Sequence, residues 1–153
     1  MDNPRSLAFS IELQWDGRTG GQVNLGGHEP LKMDAHPEFG GEGKHPCPDE
    51  LFLASIGGCL LTTFLYVRRK LRLTLVDLKI SVGGEVKLEG PDGYQLTSVD
   101  ATIYVKTLKG QEARAEECVK LTREFCHLTR LIEGAVPVEF STKIDCVLGT
   151  LPS

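Results

Sequence analysis

The chain has 153 residues, 41% of them hydrophobic and 25% charged, which is ordinary for one globular domain and predicts a single domain over residues 1–153. A formal net charge of -4 at pH 7, with no basic stripe, argues against nucleic acid as a partner. The first residues lack the pattern of a secretory signal, so we expect a cytoplasmic protein whose five cysteines stay reduced.

The N-terminal third is predicted to form short strands. Ala8–Trp15 and Gln22–Leu25 flank a glycine-rich turn and predict a hairpin with Arg18 at its tip, where an arginine is most simply a solvated charge. Leu31–Asp34 predicts a third strand, and a glycine- and proline-rich loop follows over Ala35–Cys47. Its glycines match no phosphate-binding motif, so no phosphate site is predicted. Because the loop leads into the central helix, it is predicted to form the rim of a pocket.

A long helix with a thiol at its centre is predicted over Pro48–Val67. Proline suits a first helical position, and the charges at both ends complement the helix dipole. The apolar residues point in every direction around the axis, which is typical of a helix buried on all sides. Because the charge-free run is shorter than a bilayer span of ~20 residues, we predict no membrane segment. A second copy of the chain would help to cover this helix, so we expect a homodimer.

The rest of the chain is predicted to form a long hairpin, two helices and a closing strand. Alternating apolar residues indicate the strands, and a 3.6-residue rhythm indicates the first helix. A glycine pair, Gly83-Gly84, suggests a bulge in the first strand of the hairpin. The predicted elements are strands over Leu73–Leu88 and Tyr94–Val105, helices over Gln111–Arg123 and Phe125–Ile132, and a strand over Pro137–Val147.

The cysteines form no C-x-x-C pair, which makes a structural zinc site hard to build. Four residues could converge on a metal: His45, Cys47, Cys59 and His127. Only two of them are close in sequence, so we predict neither a metal nor another cofactor. Cys118 and Cys146 fit core positions and are predicted to be structural. Redox or nucleophilic thiol chemistry is the stronger interpretation of the remaining cysteines.

Two stretches resemble the OsmC/Ohr family, whose members are osmotically inducible and organic hydroperoxide resistance proteins. Pro48–Cys59 resembles the signature P-x-E-L-hydrophobic-A-A-x-G-x-C, and Cys126–Ile132 resembles the second cysteine motif, with His127 where the family usually has proline. The resemblance implies an OsmC-like α+β fold, in which antiparallel sheets wrap around long buried central helices in an intertwined homodimer.

The resemblance also implies a thiol-dependent peroxidase that reduces organic hydroperoxides. Cys59 would attack the peroxide, Cys126 would form a disulfide with it, and an external dithiol would reduce that disulfide. Glu50 falls on the family's glutamate nine residues before the first cysteine, and Arg18 resembles the arginine of the G-R-D-G turn in the Ohr branch. The OsmC branch takes its arginine from the loop before the helix, where this chain has Glu38–Gly41 and no arginine.

The chemistry of Cys59 makes further demands on its surroundings. A thiol of ordinary pKa is only about 3% ionised at pH 7, so a nucleophilic cysteine needs a nearby cation. A carboxylate beside a thiolate opposes ionisation, so Glu50 is predicted to orient Arg18 and handle protons. Because ~13 Å of helix separates Glu50 from Cys59, the carboxylate that serves this sulfur is expected from the partner subunit. The alternative for Glu50 is a charge that merely complements the helix dipole.

Two other features of the site stay open. The side chains expected to give an apolar lining are Phe52, Leu60, Phe64 or Tyr66, which would suit alkyl or lipid-like hydroperoxides. Cys47, near a helix N-terminus, is an alternative partner for Cys59. The competing class of function is a non-catalytic OsmC-like dimer that senses thiols or binds a small molecule.

Overall fold

The computed structural model, which describes residues 6–149, shows two three-stranded β-sheets and three α-helices over that range. The chain divides into two units, an N-terminal unit that ends at Phe52 and a C-terminal unit that begins at Leu53. The mixed α+β composition confirms the predicted fold class. The single domain over residues 1–153 stays a prediction beside this division.

The N-terminal unit contains an antiparallel sheet with the strand order β1-β2-β3. Strand β1 (Glu12–Trp15) pairs with β2 (Gly20–Asn24), and β2 pairs with β3 (Leu31–Asp34), as predicted. Strand β1 is shorter than the predicted run because Glu12 pairs with Asn24, the last residue of β2. A short 3-10 turn (Pro37–Phe39) follows in the loop that leads to the first helix.

Helix α1 spans Pro48–Lys70, so it begins at the predicted proline and continues through the basic residues that were predicted to follow its end. Its buried residues lie along one face and are Ile56, Leu60, Phe64 and Val67. A single subunit therefore buries one stripe of the helix, and burial of its other sides by a partner subunit stays a prediction. A sheet that packs against one side of a helix leaves its other sides uncovered.

By length and composition, α1 could cross a membrane, since its most apolar 18-residue window has a mean hydropathy of 1.7. The core helix of a soluble protein meets the same criterion. The buried stripe of α1 packs into two hydrophobic clusters of the C-terminal unit. This packing favours a core helix over a membrane span.

The C-terminal unit holds the second sheet. Strands β4 (Leu75–Leu88) and β5 (Tyr94–Leu108) form the predicted long hairpin, and β6 (Val138–Val147) pairs with β5 in parallel. This sheet is therefore mixed, and the expectation of antiparallel sheets is wrong at the last pair. Helices α2 (Glu112–Phe125) and α3 (His127–Glu133) form the long connection that a parallel pairing requires.

The glycine pair in β4 does not form the predicted bulge. The register with β5 is continuous through Gly83 and Gly84 and shifts between Glu85 and Val86 instead. A Cβ at Gly83 would lie 2.6 Å from a carboxylate oxygen of Asp100, its partner on β5. The bulge prediction is therefore wrong in position.

Two clusters of buried side chains form the core of the C-terminal unit. The Cys118 cluster consists of Phe64, Val67, Leu73, Ile103, Val105, Ala115, Cys118 and Val119. The Cys126 cluster consists of Ile56, Leu60, Val99, Ala101, Cys126 and Ile132, with Cys59 partly buried against it. Alternate residues of β5 contribute to both clusters, since neighbouring side chains point to opposite faces of a strand. Leu60 and Phe64 are fully buried here, so the prediction that they line a substrate pocket is wrong.

Candidate active site

The candidate site lies where α1 meets the corner between α2 and α3. Cys59 follows Ile56 by three residues, so it lies at the edge of the buried stripe and is partly buried. Cys126 ends α2 and precedes α3, and its extended backbone turns the chain from one helix to the next. The Cys59 side chain is in hydrogen-bonding contact with the Cys126 thiol. The fold thus brings together two sulfurs that lie far apart in sequence.

The two sulfurs have different surroundings. Cys126 is fully buried, and its Sγ accepts a hydrogen bond of 2.8 Å from Thr129 Oγ1. Burial raises the pKa of the Cys126 thiol, the neighbouring Cys59 raises it further, and the Thr129 hydrogen bond acts in the opposite direction. The Cys126 thiol is therefore protonated at neutral pH, and neither sulfur is part of a disulfide.

A histidine completes the cluster. The Nδ1 atom of His127 lies 3.8 Å from Cys59 Sγ. His127 is the first residue of α3, a position that favours proline because its N–H has no partner within the helix. Its side chain is exposed. The sequence suggested His127 only as a possible metal ligand and as a replacement for the usual proline. Its place directly after a candidate redox cysteine was the one signal that it belongs to the thiol site.

Glu50 lies in the first turn of α1, within the N-terminal unit. Its Oε2 accepts a hydrogen bond of 2.8 Å from the backbone N–H of Cys47. The N–H of Leu51 donates to the Cys47 carbonyl, so Cys47 is the N-cap residue and Glu50 supplies the glutamate half of a capping box. This contact supports the alternative prediction of a helix-start role, and orientation of an arginine by Glu50 stays a prediction.

Arg18 lies in the turn between β1 and β2. Its guanidinium forms an ion pair of 2.5 Å with Glu42, which belongs to the loop predicted to be a pocket rim, and the Arg18 side chain is 65% exposed. Glu42 also pairs with Lys44. The hydrogen bond from Lys44, followed by that from Arg18, holds the pKa of the Glu42 carboxyl below its usual range. The role of Arg18 beside Cys59 stays a prediction.

Comparison with known proteins identifies the family. The family model described as OsmC-like protein matches residues 41–141, a range that includes both Cys59 and Cys126. This chain belongs to the OsmC-like protein family. A curated relative from Staphylococcus aureus (strain USA300), named organic hydroperoxide resistance protein-like, is 26% identical over 116 residues, which cover 74% of this chain and 81% of the relative.

Solved structures confirm the OsmC-like fold. An OsmC like protein from Mycoplasma pneumoniae has a TM-score of 0.79 at 15% identity, and the match covers 91% of this chain and 98% of that one. An organic hydroperoxide resistance protein OsmC from Legionella pneumophila has a TM-score of 0.69 at 24% identity, and the match covers 90% and 99% of the two chains. At these identities, the likeness establishes the fold alone.

The other cysteines of this OsmC-like protein build no second thiol cluster among the described residues. Cys118 is buried in its own cluster, and Cys146 is partly buried. Between residues 6 and 149, no group of three or more His, Cys, Asp and Glu side chains is arranged to hold a metal ion. The alternative of a metal site at His45, Cys47, Cys59 and His127 therefore has no support in this part of the chain.

A groove of about 860 Å³ lies along α2, α3 and β6 of the OsmC-like chain. Its lining alternates acidic and basic side chains with few apolar ones: Glu116, Val119, Lys120, Arg123, Glu124, Arg130, Glu133, Thr142 and Ile144. Cys59, Cys126 and His127 are not among them. The groove is therefore separate from the thiol site.

Proposed function

We propose that this OsmC-like protein is a thiol-dependent peroxidase that reduces organic hydroperoxides through Cys59 and Cys126. The observation that carries the proposal is the contact between the two side chains. A partly exposed sulfur can meet a peroxide, while a buried, protonated thiol beside it is ready to react with the oxidised product. The name of the curated relative, organic hydroperoxide resistance protein-like, supports the same substrate class.

The proposed reaction has three balanced steps. The Cys59 thiolate attacks the outer oxygen of a hydroperoxide, the O–O bond breaks, and the alkoxide takes up a proton and leaves as an alcohol. Cys59, now a sulfenic acid, condenses with the Cys126 thiol to form a disulfide and water. An external dithiol then donates two electrons and two protons, which restores both thiols and leaves the reductant as a disulfide.

The dithiol reductant and a reducing compartment such as the cytoplasm belong to the same proposal. All five cysteines of the sequence are free in the structure. A protein that works through a reversible disulfide needs surroundings that return it to the thiol state, and the cytosol supplies them. Neither a metal nor an organic cofactor enters the proposed steps.

We further propose that the protein acts as an intertwined homodimer. Along α1, the apolar side chains of Leu61 and Tyr66 remain 36% and 45% exposed, on either side of the single buried stripe. A second copy of the chain would cover this surface by a symmetric contact. In such a dimer, the arginine and glutamate that Cys59 is predicted to use would be available from either subunit.

The test is a steady-state assay of the purified protein with cumene hydroperoxide and dithiothreitol. We expect Cys59→Ser to lose activity by on the order of 10³-fold, because a serine hydroxyl is not ionised at neutral pH. The matched control is Cys118→Ser, which changes the same atom in the other cluster and keeps activity. Equal activity of the wild type and Cys59→Ser would reject the site. A wild type that consumes no peroxide would favour the thiol-sensing or binding alternative.

A further inference from the structure

We propose that His127 is a catalytic residue that carries a proton between the Cys59 thiol and the departing alkoxide. The inference rests on the peroxidase function proposed above and adds a residue to it. Its basis is the position of His127 Nδ1, 3.8 Å from the sulfur that would attack the peroxide.

The geometry suits a thiol–imidazole pair. A neutral imidazole has one nitrogen that accepts a hydrogen bond, and a thiol S–H is a donor, so a proton can pass directly from Cys59 Sγ to Nδ1. His127 is fixed as the first residue of α3, directly after Cys126, whose own side chain is fully buried. The two sulfurs and the imidazole are therefore positioned by the same helix–helix corner.

The imidazole is exposed to solvent, and the Cys59 sulfur beside it is partly exposed. The His127 side chain is exposed, Cys59 is partly buried and Cys126 is fully buried. Besides His127, the Cys126 thiol contacts Cys59 in this cluster. A peroxide at the Cys59 sulfur would therefore react close to the imidazole, whose Nδ1 lies 3.8 Å from that sulfur.

The proton balance closes with His127 in both halves of the first step. His127 takes the proton of the Cys59 thiol, which leaves a thiolate and an imidazolium. The thiolate attacks the hydroperoxide oxygen, the O–O bond breaks, and the imidazolium returns its proton to the alkoxide. The products are a sulfenic acid, an alcohol and a neutral imidazole, ready for the next cycle.

This role differs from that of an arginine. A guanidinium stays protonated at all physiological pH values, so it can stabilise a thiolate but can neither accept its proton nor donate one to the alkoxide. An imidazole can do both. His127 therefore complements the predicted Arg18 and does not replace it.

The first arm of the experiment measures proton acceptance without any peroxide. Iodoacetamide labelling of Cys59 at pH 7, read from the mass of its peptide, is compared in the wild type, His127→Ala and Leu131→Ala. Leu131 is the matched control, since it is 71% exposed on the same helix. We expect His127→Ala to slow labelling about tenfold, because an unassisted thiol is mostly protonated, and added imidazole to restore part of the rate. An unchanged rate, or a loss that imidazole does not rescue, would overturn the thiol–imidazole pair.

The second arm measures proton donation. Single-turnover oxidation of Cys59 is compared for tert-butyl hydroperoxide, whose alkoxide needs a proton, and for peracetic acid, whose carboxylate leaves without one. In His127→Ala, we expect the rate with tert-butyl hydroperoxide, divided by the rate with peracetic acid, to fall by about tenfold or more. This is on the order of the lower range for general acid catalysis. An unchanged ratio would overturn the donor role.

The two arms separate this inference from the proposed function. A wild type that reduces neither peroxide, yet shows the labelling loss and the imidazole rescue, would reject the peroxidase and keep the thiol–imidazole pair. A wild type that reduces both peroxides, with His127→Ala equal to it in every measurement, would keep the peroxidase and reject His127. His127→Asn, which keeps a polar side chain but neither gains nor loses a proton at neutral pH, should behave as His127→Ala.

Discussion

Cys118 lies within α2 and Cys126 ends that helix about two turns later, and both side chains are fully buried. Cys118 donates a hydrogen bond to the backbone carbonyl of Phe64 at 3.8 Å, and burial raises its pKa to about 12. Cys126 instead contacts the Cys59 side chain and accepts a hydrogen bond from Thr129. Both residues are fully buried cysteines, but the Cys118 side chain packs within its own cluster, whereas the Cys126 side chain contacts a second sulfur.

The Cys118 cluster shows how burial changes the pKa of a thiol. Burial raises the pKa of Cys118 more than the Thr122 hydrogen bond and the nearby Arg68 guanidinium lower it. The Cys126 cluster instead pairs a partly exposed sulfur with a fully buried one, which is the arrangement that the proposed peroxidase would use.

The largest expected difference between the clusters is in alkylation of the native protein. At pH 8, a thiol with a pKa of about 12 is ionised to about one part in 10⁴, so Cys118 should react with iodoacetamide more than about 10³-fold slower than Cys59. Because the shift is upward, the thiolate fraction of Cys118 should rise about tenfold with each pH unit and level off only near pH 12. Peptide mass spectrometry over a pH series measures both rates.

The control for this prediction is the unfolded protein. In concentrated guanidinium chloride, burial is lost and the two cysteines should react at similar rates. Comparable rates in the native protein would mean that the Cys118 cluster opens to solvent, and the contrast between the two clusters would then fail.

The second prediction removes one buried thiol at a time. Cys126→Ser should keep the first oxidation of Cys59 but slow repeated turnover by on the order of 10²-fold, because no disulfide can form. Cys118→Ser should stay within about twofold of the wild type, because distant sites act independently. Rapid-mixing measurements with cumene hydroperoxide separate the first turnover from those that follow.

Disulfide mapping after one equivalent of peroxide sharpens the same comparison. We expect a Cys59–Cys126 bond in both the wild type and Cys118→Ser. A bond between Cys47 and Cys59 would identify Cys47 as the true partner, and a bond that contains Cys118 would contradict the inert role of its cluster.

Local chemistry explains why most of the fold could be predicted from the sequence. Pro48 and the charges that flank the central helix mark its ends, and the spacing of Ala115, Cys118 and Val119 gives the buried face of α2. The burial of α1 could not be predicted, because its apolar residues surround the axis while one subunit covers a single stripe. The parallel pairing of β6 was also missed, since strand direction depends on the path of the whole connection.

The candidate site was less predictable than the fold. Cys59 and Cys126 were singled out by resemblance to a family, because nothing in their spacing indicates that α1 meets the α2–α3 corner. The imidazole of His127 next to Cys59 is a tertiary contact between residues far apart in sequence, and no periodicity encodes it. The capping box of Glu50 is local, by contrast, and its helix-start role could be stated from the sequence.

The smallest expected effect comes from two buried threonines that form a matched pair. Thr129 Oγ1 donates to Cys126 Sγ at 2.8 Å, and Thr122 Oγ1 donates to the Cys118 carbonyl at 2.7 Å. Replacement by valine removes one hydrogen bond in each case, so each variant should lower the free energy of unfolding by about 1 kcal/mol. Urea denaturation measures this cost.

Only Thr129→Val should also slow disulfide formation, by roughly fivefold, because the lost hydrogen bond favours the anionic sulfur that attacks the sulfenic acid. Stopped-flow fluorescence or quenched mass spectrometry of the Cys59–Cys126 bond measures the rate. An equal slowing in Thr122→Val would trace the effect to general loosening of the core. Since both side chains are fully buried and both variants keep the shape of threonine, a difference between them isolates the contact with the sulfur.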